Sequence, residues 1–480
     1  MSRIVVGPFN RVEGDLELTL DIEAGRVATA RVATPLYRGF EQILVGRPAA
    51  DALTIAPRIC GICSLSQSMA AAAVLRALTG VKPPPNGERA ANIAHAAENI
   101  ADHLTHFYLF FMPDFAGGDY ARESWFPGVE ARFKALSGAA SRDVLPARAR
   151  LLHVMGLIAG KWPHSLAIQP GGVTRALDLG EKMRLLSILG DFRGFVEKSL
   201  FAAPLEKVLE ISTPDGLADF SEGKGDFAAF LRLGQELRLD RLGCAALPLL
   251  SFGAYEAAGG HLFAPGVFDP RNGEKRPLPE NAISEHVDSS YFAVNSSDPA
   301  LAITAPDSER KDAYSWAKAP RLDGAPAETG AVARQAVAGD PLVRALIARQ
   351  GGTNVYVRVV ARAMEIARLT VAAQAWARAL RLDEAFCETP PPFVCGQATG
   401  KVEAARGALG HWASVEKGVI QLYQIIAPTT WNFSPRDGAG VPGPLEQALV
   451  GVETGDSGAK APTIQHVVRS FDPCMVCTAH

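Results

Sequence analysis

Several things are scarce in this sequence, and each shortage excludes a class of protein. Only seven of its 480 residues are cysteine, far too few to staple a chain of this size through disulfides. Neither sign of charge dominates: 48 Lys and Arg against 51 Asp and Glu leave a formal net charge of −3. There is thus no basic footprint for nucleic acid. No apolar run reaches the roughly 18 residues that a membrane-spanning helix requires. The best, "LTHFYLFFM" at 104–112, is half that length and lies between Asp102 and Asp114, so direct membrane insertion is not expected. The opening "MSRIVVGPFNRVEGD" lacks the basic-then-apolar layout of a secretory signal. A cytoplasmic location is expected, or export only beside a partner that carries the address.

What is present is an ordinary globular composition, 48% hydrophobic and 21% charged. Length alone suggests about three domains. Residues 16–22, "LELTLDI", alternate apolar and polar, and "VATARVA" follows the turn "EAGR", which predicts a hairpin. After Cys63, "SLSQSMAAAAVLRAL" reads as a helix that stops near Gly80 and the prolines at 83–85. Residues 90–112, 144–160, 174–203 and 354–382 predict further long helices, with Gly/Pro-rich loops at 251–280, 295–341 and 388–400. The expected fold is mainly α: one large domain over 1–480 with a long-helix bundle core, a small β element over about residues 1–35, and long structured loops.

Four of the cysteines form two CxxC pairs at opposite ends, "RICGIC" at 58–63 and "DPCMVCTAH" at 472–480. Two thiols so spaced can share a metal, and a thiol that opens a helix is favoured as thiolate by the unpaired N–H groups there. Four thiolates suit zinc, an iron–sulfur cluster or another soft metal. Structural zinc sites usually keep their pairs about 15–20 residues apart, whereas about 400 residues intervene here, which disfavours zinc. Neither pair follows a βαβ pattern, which disfavours a thioredoxin-like redox motif. If both pairs serve one site, residue 60 must meet residue 474, and the chain closes on itself as a single domain. Cys244, Cys387 and Cys395 read as buried small hydrophobes.

The two pairs, taken with "RVEGDLEL" (11–18), "YRGFEQIL" (37–44), "GKWPHSLAIQPGGVT" (160–174), "SWAKAPRLDGAPAETGAVAR" (315–334), "ARGALGHW" (405–412) and "YQIIAPTTWN" (423–432), resemble the large subunit of a nickel–iron hydrogenase over essentially the whole chain. The resemblance implies a nickel ion held by all four thiolates, with Cys60 and Cys474 terminal. Cys63 and Cys477 would bridge to an iron that carries one carbon monoxide and two cyanides. Thiolates that put electron density on nickel suit heterolytic splitting of H2, with metal as Lewis acid and sulfur as base. It implies Glu13 as the carboxylate that carries the proton away, its pKa raised by burial. It implies Glu41, His480 and the carbonyl of Ile425 as ligands of magnesium, or of iron in some bacterial relatives, anchoring the C-terminus. Arg406 would hang over the open metal face, held by Asp114 and Asp472. Thr429 would donate to a cyanide, and Leu409 would line the carbon monoxide pocket. His164 matches a recurrent histidine with no role assigned beyond the core.

Three departures from the family pattern bear on function. Gln67 stands where catalytic relatives usually have histidine, one helical turn after Cys63 and on the same face; it can donate a hydrogen bond but cannot titrate. The chain stops at His480, where most relatives are made with a removable extension. Ala405 replaces a usual proline and loosens the backbone beside Arg406. The first two resemble the hydrogen-sensing, regulatory branch. The leading expectation is therefore a sensor of low turnover, docked to a small subunit with iron–sulfur clusters and reporting H2 to a histidine kinase. The alternative is an energy-conserving respiratory uptake enzyme with the same ligands. A metal-free relative, such as the quinone-site subunit of respiratory NADH–quinone oxidoreductase, is set aside because relatives of that kind lack these cysteines.

Overall fold

The alternating residues after Asp15 make the expected hairpin, and a further strand extends it. In the computed structural model, which describes residues 2–7, 9–257, 260–279, 281–293, 295–393, 395–455 and 461–480, β1 (Ser2–Val6), β2 (Glu17–Glu23) and β3 (Arg26–Ala33) form an antiparallel sheet in that order. Leu18, Leu20 and Val32 turn inward to the core. A short α1 (Phe40–Leu44) follows, then α2 (Ser64–Thr79) directly after the first cysteine pair, and α3 (Pro85–Thr105).

Helices dominate the rest. α4 (Leu179–Phe195) starts at a capping box, where the Asp178 side chain accepts from the Glu181 amide and Glu181 reciprocates. That cap sets the start of the helix, expected from 174, at Leu179. α5 (Val355–Ala379), capped by the Asn354 side chain on the Val357 amide, spans about 37 Å. It is buried on nearly every face because α3 and α4 pack along it. One continuous apolar cluster draws residues from Phe9 to Cys477, so both ends of the chain belong to the same core.

Several expectations need correction. The expected loop 251–280 carries the strands Ala254–Ala257, Gly260–Phe263, Gly266–Asp269 and Glu274–Arg276, and 295–341 carries the strand Ala319–Leu322 and the helix Ala331–Ala338. The stretch 388–400 is not all loop: it leads into β4 (Gly396–Ala404), which pairs antiparallel with β5 (Gly407–Glu416), and β5 with β6 (Val419–Ile426). Residues 407–413 are buried on both faces, so the period-2 signal of a half-exposed strand is missing. The region 144–160 is two shorter helices, Ala139–Leu151 and His153–Ile158. After β6 come α6 (Pro428–Asn432), α7 (Pro462–Ser470) and α8 (Met475–Thr478).

Buried ion pairs tie helices to sheet. Arg334 lies 2.6 Å from Glu365 of α5 and 2.8 Å from Glu403 of β4, and all three side chains are fully buried. Burial opposes ionisation of Glu365, but Arg334 and His103 bring its carboxyl down from 4.5 to about 2. Arg334→Leu strands two acids in the core and is expected to cost about 3–5 kcal/mol at neutral pH, read as a lower denaturation midpoint. The share from Glu365 is fully present above about pH 5 and is lost as pH falls toward 2. The gap between wild type and variant should therefore narrow in acid.

Candidate metal centre

The four CxxC cysteines meet. Cys60 ends a 3-10 turn, Ala56–Ile59, and Cys63 is the N-cap of α2; Cys474 is the N-cap of α8 and Cys477 lies within it. Their sulfurs all lie within 4.8 Å of one another, and all four residues are buried. The Cys60–Cys474 separation is 3.5 Å, while Cys63–Cys477 and Cys474–Cys477 are each 3.1 Å. These distances are far beyond a disulfide's roughly 2.05 Å and suit sulfurs gathered about a common soft ion. The amides of Ile62 and Cys63 donate to Cys60 Sγ at 3.3 and 3.4 Å. Hydrogen bonds from the other three sulfurs push Cys60 well below the usual thiol range. Hydrogen bonding within the cage and then burial push Cys63 and Cys477 well above it. Four thiols this close cannot all ionise without a cation among them. The donor set fits a soft, multivalent metal centre. The other three cysteines stay apart: Cys244 and Cys395 are exposed and Cys387 is half-buried, not core residues as expected.

The two termini are stitched together beside this cage. Glu13 forms a parallel bridge with Cys474; the Met475 amide donates to the Glu13 carbonyl at 2.7 Å, and the Glu13 amide donates to the Pro473 carbonyl at 3.4 Å. Gly14 is required here. Its φ is +83°, and a Cβ would sit 2.9 Å from the Val476 amide nitrogen. The half-buried Glu13 carboxyl is raised above the usual range by burial and then by the charge of Cys60, while Arg406 opposes the shift. Arg11 does not pair with it; its guanidinium bonds to Asp114 and to the Phe110 carbonyl.

Arg406 occupies the turn between β4 and β5. Its Nε donates to the Asp472 carbonyl at 2.9 Å and Nη2 to Asp472 Oδ1 at 3.1 Å, while Nη1 lies 2.7 Å from Asp102 Oδ2. The last contact is a close ion pair without a well-aligned N–H. Asp472 adopts φ 57°, and this left-handed turn lets its carbonyl and its side chain face the same guanidinium. Asp102 was unforeseen, and Asp114 is the correction. Asp114 binds Arg469 (2.7 Å), Arg11 and His466 (3.3 Å), and these hold it down to about 2 against burial. Burial, opposed by Arg406, brings Asp102 up to about 7. The backbone beside Arg406 is not loose at Ala405. Arg334 donates to the carbonyls of Ala404 and Ala405 at 2.8 and 2.9 Å. Gly407 (φ +128°) permits the close pass, since a Cβ there would meet Thr329 Oγ1 at 2.3 Å.

Thr429, in α6, accepts the Cys474 amide at 3.0 Å, which leaves its own hydroxyl proton to donate elsewhere. Leu409 is fully buried on β5, opposite Val402. Gln67 is buried on α2, and its Oε1 lies 2.8 Å from His411 Nε2. His164 Nδ1 bonds the Pro57 carbonyl just upstream of Cys60.

The expected hard-ion site contains a cation of the protein's own. Lys318 Nζ lies 2.8 Å from Glu41, 3.1 Å from Glu285, and 2.8 Å from Gln424 Oε1. Burial works against this ammonium, but Glu285 and Glu41 outweigh it and raise its pKa. Glu41, raised by burial, is brought to about 2 by Lys318 and His480. His480 Nε2 is 3.4 Å from Glu41 Oε1, and its Nδ1 bonds the Cys477 carbonyl. At Ile425 the amide N–H, not the carbonyl, reaches Glu41, at 2.9 Å. Lys318 lies in "SWAKAPR", and no local pattern marks it, because its partners Glu41, Glu285, Thr304 and Gln424 come from four other segments.

Comparison with known proteins agrees with this geometry. A family model described as nickel-dependent hydrogenase matches residues 38–118 and 142–480. The chain is 27% identical to the periplasmic NiFeSe hydrogenase large subunit of Desulfomicrobium baculatum, across 100% of this chain and 95% of that one. It is 25% identical to the hydrogenase-2 large chain of Escherichia coli, across 100% and 97%. The solved reduced Ni-Fe-Se hydrogenase of D. vulgaris Hildenborough superposes with a TM-score of 0.84 at 28% identity, with both chains fully covered. Four buried sulfurs from both ends of the chain, on this fold, place the protein in the nickel-dependent hydrogenases as a nickel–iron large subunit.

Proposed function

We propose that this chain is the H2-converting subunit of an uptake-type nickel–iron hydrogenase, working with a small subunit that bears iron–sulfur clusters. The observation that carries the reading is the four-sulfur cage closed by both termini. Relatives that align with the whole of this chain support uptake over sensing: they are named as a periplasmic NiFeSe hydrogenase, hydrogenase-2 and a quinone-reactive Ni/Fe-hydrogenase. Selenium figures in one of those names; this chain has cysteine at all four cage positions.

Cys60, Cys63, Cys474 and Cys477 would hold nickel and iron, with carbon monoxide and cyanides on the iron. When bound, that centre supplies Lewis acidity for H2 cleavage and redox capacity for its electrons. The protein's own parts do the rest. Arg406, fixed by Asp102 and Asp472, is close enough to feel the charges of Cys474 and Cys63, so it holds a fixed positive charge over the cage. Glu13, bridged to Cys474 and with a raised pKa, is placed to take a proton from sulfur and pass it outward. Thr429 has a hydroxyl proton free for a cyanide nitrogen, and buried Leu409 gives a dry wall for carbon monoxide. Glu41 and His480 would hold a magnesium or iron ion beside Lys318, and their mutual contact pins the C-terminus. A cytoplasmic location is also part of the proposal, since the unpaired Cys244, Cys387 and Cys395 suit a reducing compartment.

A second reading, a hydrogen sensor that signals to a histidine kinase, is favoured by Gln67, which cannot titrate. The relatives' names lend no support to the kinase partner.

Infrared spectra of the purified heterodimer should show carbon monoxide and cyanide bands that change under H2, with one nickel per chain; absence of both would end the nickel–iron reading. Turnover of H2 within the usual enzyme range of about 1–10³ s⁻¹ supports uptake, and a rate far below it supports the sensor. Glu13→Gln should lower turnover by about 10²–10⁴-fold at unchanged nickel content. Asp102→Asn should reduce turnover through Arg406. Asp114→Asn should instead lower stability by about 3–5 kcal/mol, with activity per folded molecule largely kept.

A further inference from the structure

A buried chain of three side chains leads from β6 across β5 to α2, the helix that Cys63 caps. His411 Nε2 lies 2.8 Å from Gln67 Oε1, and His411 Nδ1 lies 2.9 Å from the Tyr423 hydroxyl. His411 and Gln67 are fully buried and Tyr423 nearly so. The fully buried imidazole has only a carbonyl oxygen and a hydroxyl against its ring nitrogens, and burial disfavours its charged form, so it carries one ring proton. A glutamine carbonyl oxygen can only accept, so that proton sits on Nε2. Nδ1 is then bare and must accept from the Tyr423 hydroxyl. The direction of the whole chain follows: Tyr423 donates to His411, and His411 donates to Gln67.

One group at the end of this chain lacks a partner. Gln67 Nε2, with two N–H donors, is buried and meets no acceptor among the described residues. Leaving an amide so placed costs about 1–3 kcal/mol. Gln67 stands four residues after Cys63 on α2, and its own amide donates to the Cys63 carbonyl at 3.1 Å, so its side chain shares the face that carries the Cys63 thiol. The opposite polarity, with Nδ1–H donated to Tyr423 and the bare Nε2 receiving from glutamine, would need Gln67 Nε2 rather than Oε1 against His411.

We propose that His411 and Tyr423 are positioning residues: together they lock the Gln67 amide so that its NH2 group donates to Cys63 Sγ or to a group held in the cage. The inference rests on the nickel–iron reading and deepens it. A histidine at position 67 would gain and lose charge, whereas this relay presents an uncharged donor whose direction is set by a tautomer two residues away. An N–H bonded to a thiolate withdraws electron density from the sulfur and hence from the metals.

The test uses the metal-loaded heterodimer. Nickel and iron content and the positions of the carbon monoxide and cyanide bands are measured for wild type, Gln67→Leu and Tyr423→Phe under one set of redox conditions. The proposal expects both variants to keep their metal and to shift the bands in the same direction, with the larger shift in Gln67→Leu. Tyr423→Phe frees Nδ1 and lets the imidazole tautomerise, yet removes only one oxygen, two hydrogen bonds away from the Gln67 amide. If Gln67→Leu moves the bands and Tyr423→Phe leaves them at wild-type positions, the relay is wrong. If neither moves them, the donor role of Gln67 is wrong as well. Should Tyr423→Phe fail to load metal, His411→Gln is read by the same criterion. A wild type without such bands would instead overturn the cofactor reading, a result distinct from any of these.

Discussion

Four sulfurs that must share one small buried volume come from opposite ends of the chain, and much of the architecture serves that requirement. Closing a loop of about 400 residues costs on the order of 5 kcal/mol in chain entropy beyond a constant. Thiols cannot supply this themselves, since burying them together raises most of their pKa values. The closure is secured by the apolar cluster that includes residues from Phe9 to Cys477 and by the bridge between Glu13 and Cys474.

Around the cage, charge is placed by pairing rather than by exposure. Arg406 sits between two buried carboxylates, Arg334 between two more, and Lys318 between Glu41 and Glu285. Each cation is held in position because unpairing it in the core is costly. Arg334 links these tasks: its guanidinium joins α5 to β4 and also binds the two carbonyls that precede Arg406. A stability element of the core thereby sets the direction of a residue at the site.

Local motifs transmitted the site's chemistry faithfully wherever a role depends on near neighbours. CxxC spacing and the helix after Cys63 act within a few residues, so they are readable in a string. Roles that depend on distant partners were not. Asp114 and Asp102 lie twelve positions apart and either could meet an arginine; the course of α3 and the turn after it gives Asp102 to Arg406 and Asp114 to Arg469. Lys318 and His411 were equally invisible, because their partners come from segments that only folding brings near. The β4–β6 sheet escaped notice because strands buried on both faces lose the alternation that marks a strand.

By itself the sequence determined the ligand chemistry, the helical character of the core and the need for the two ends to meet, since each follows from residue type and short spacing. Tertiary structure decided which acid holds which base, which atom of Ile425 faces Glu41, and which way the Gln67 amide points. These are choices among chemically equivalent partners, and such choices are made by distance and burial, which a linear order does not contain.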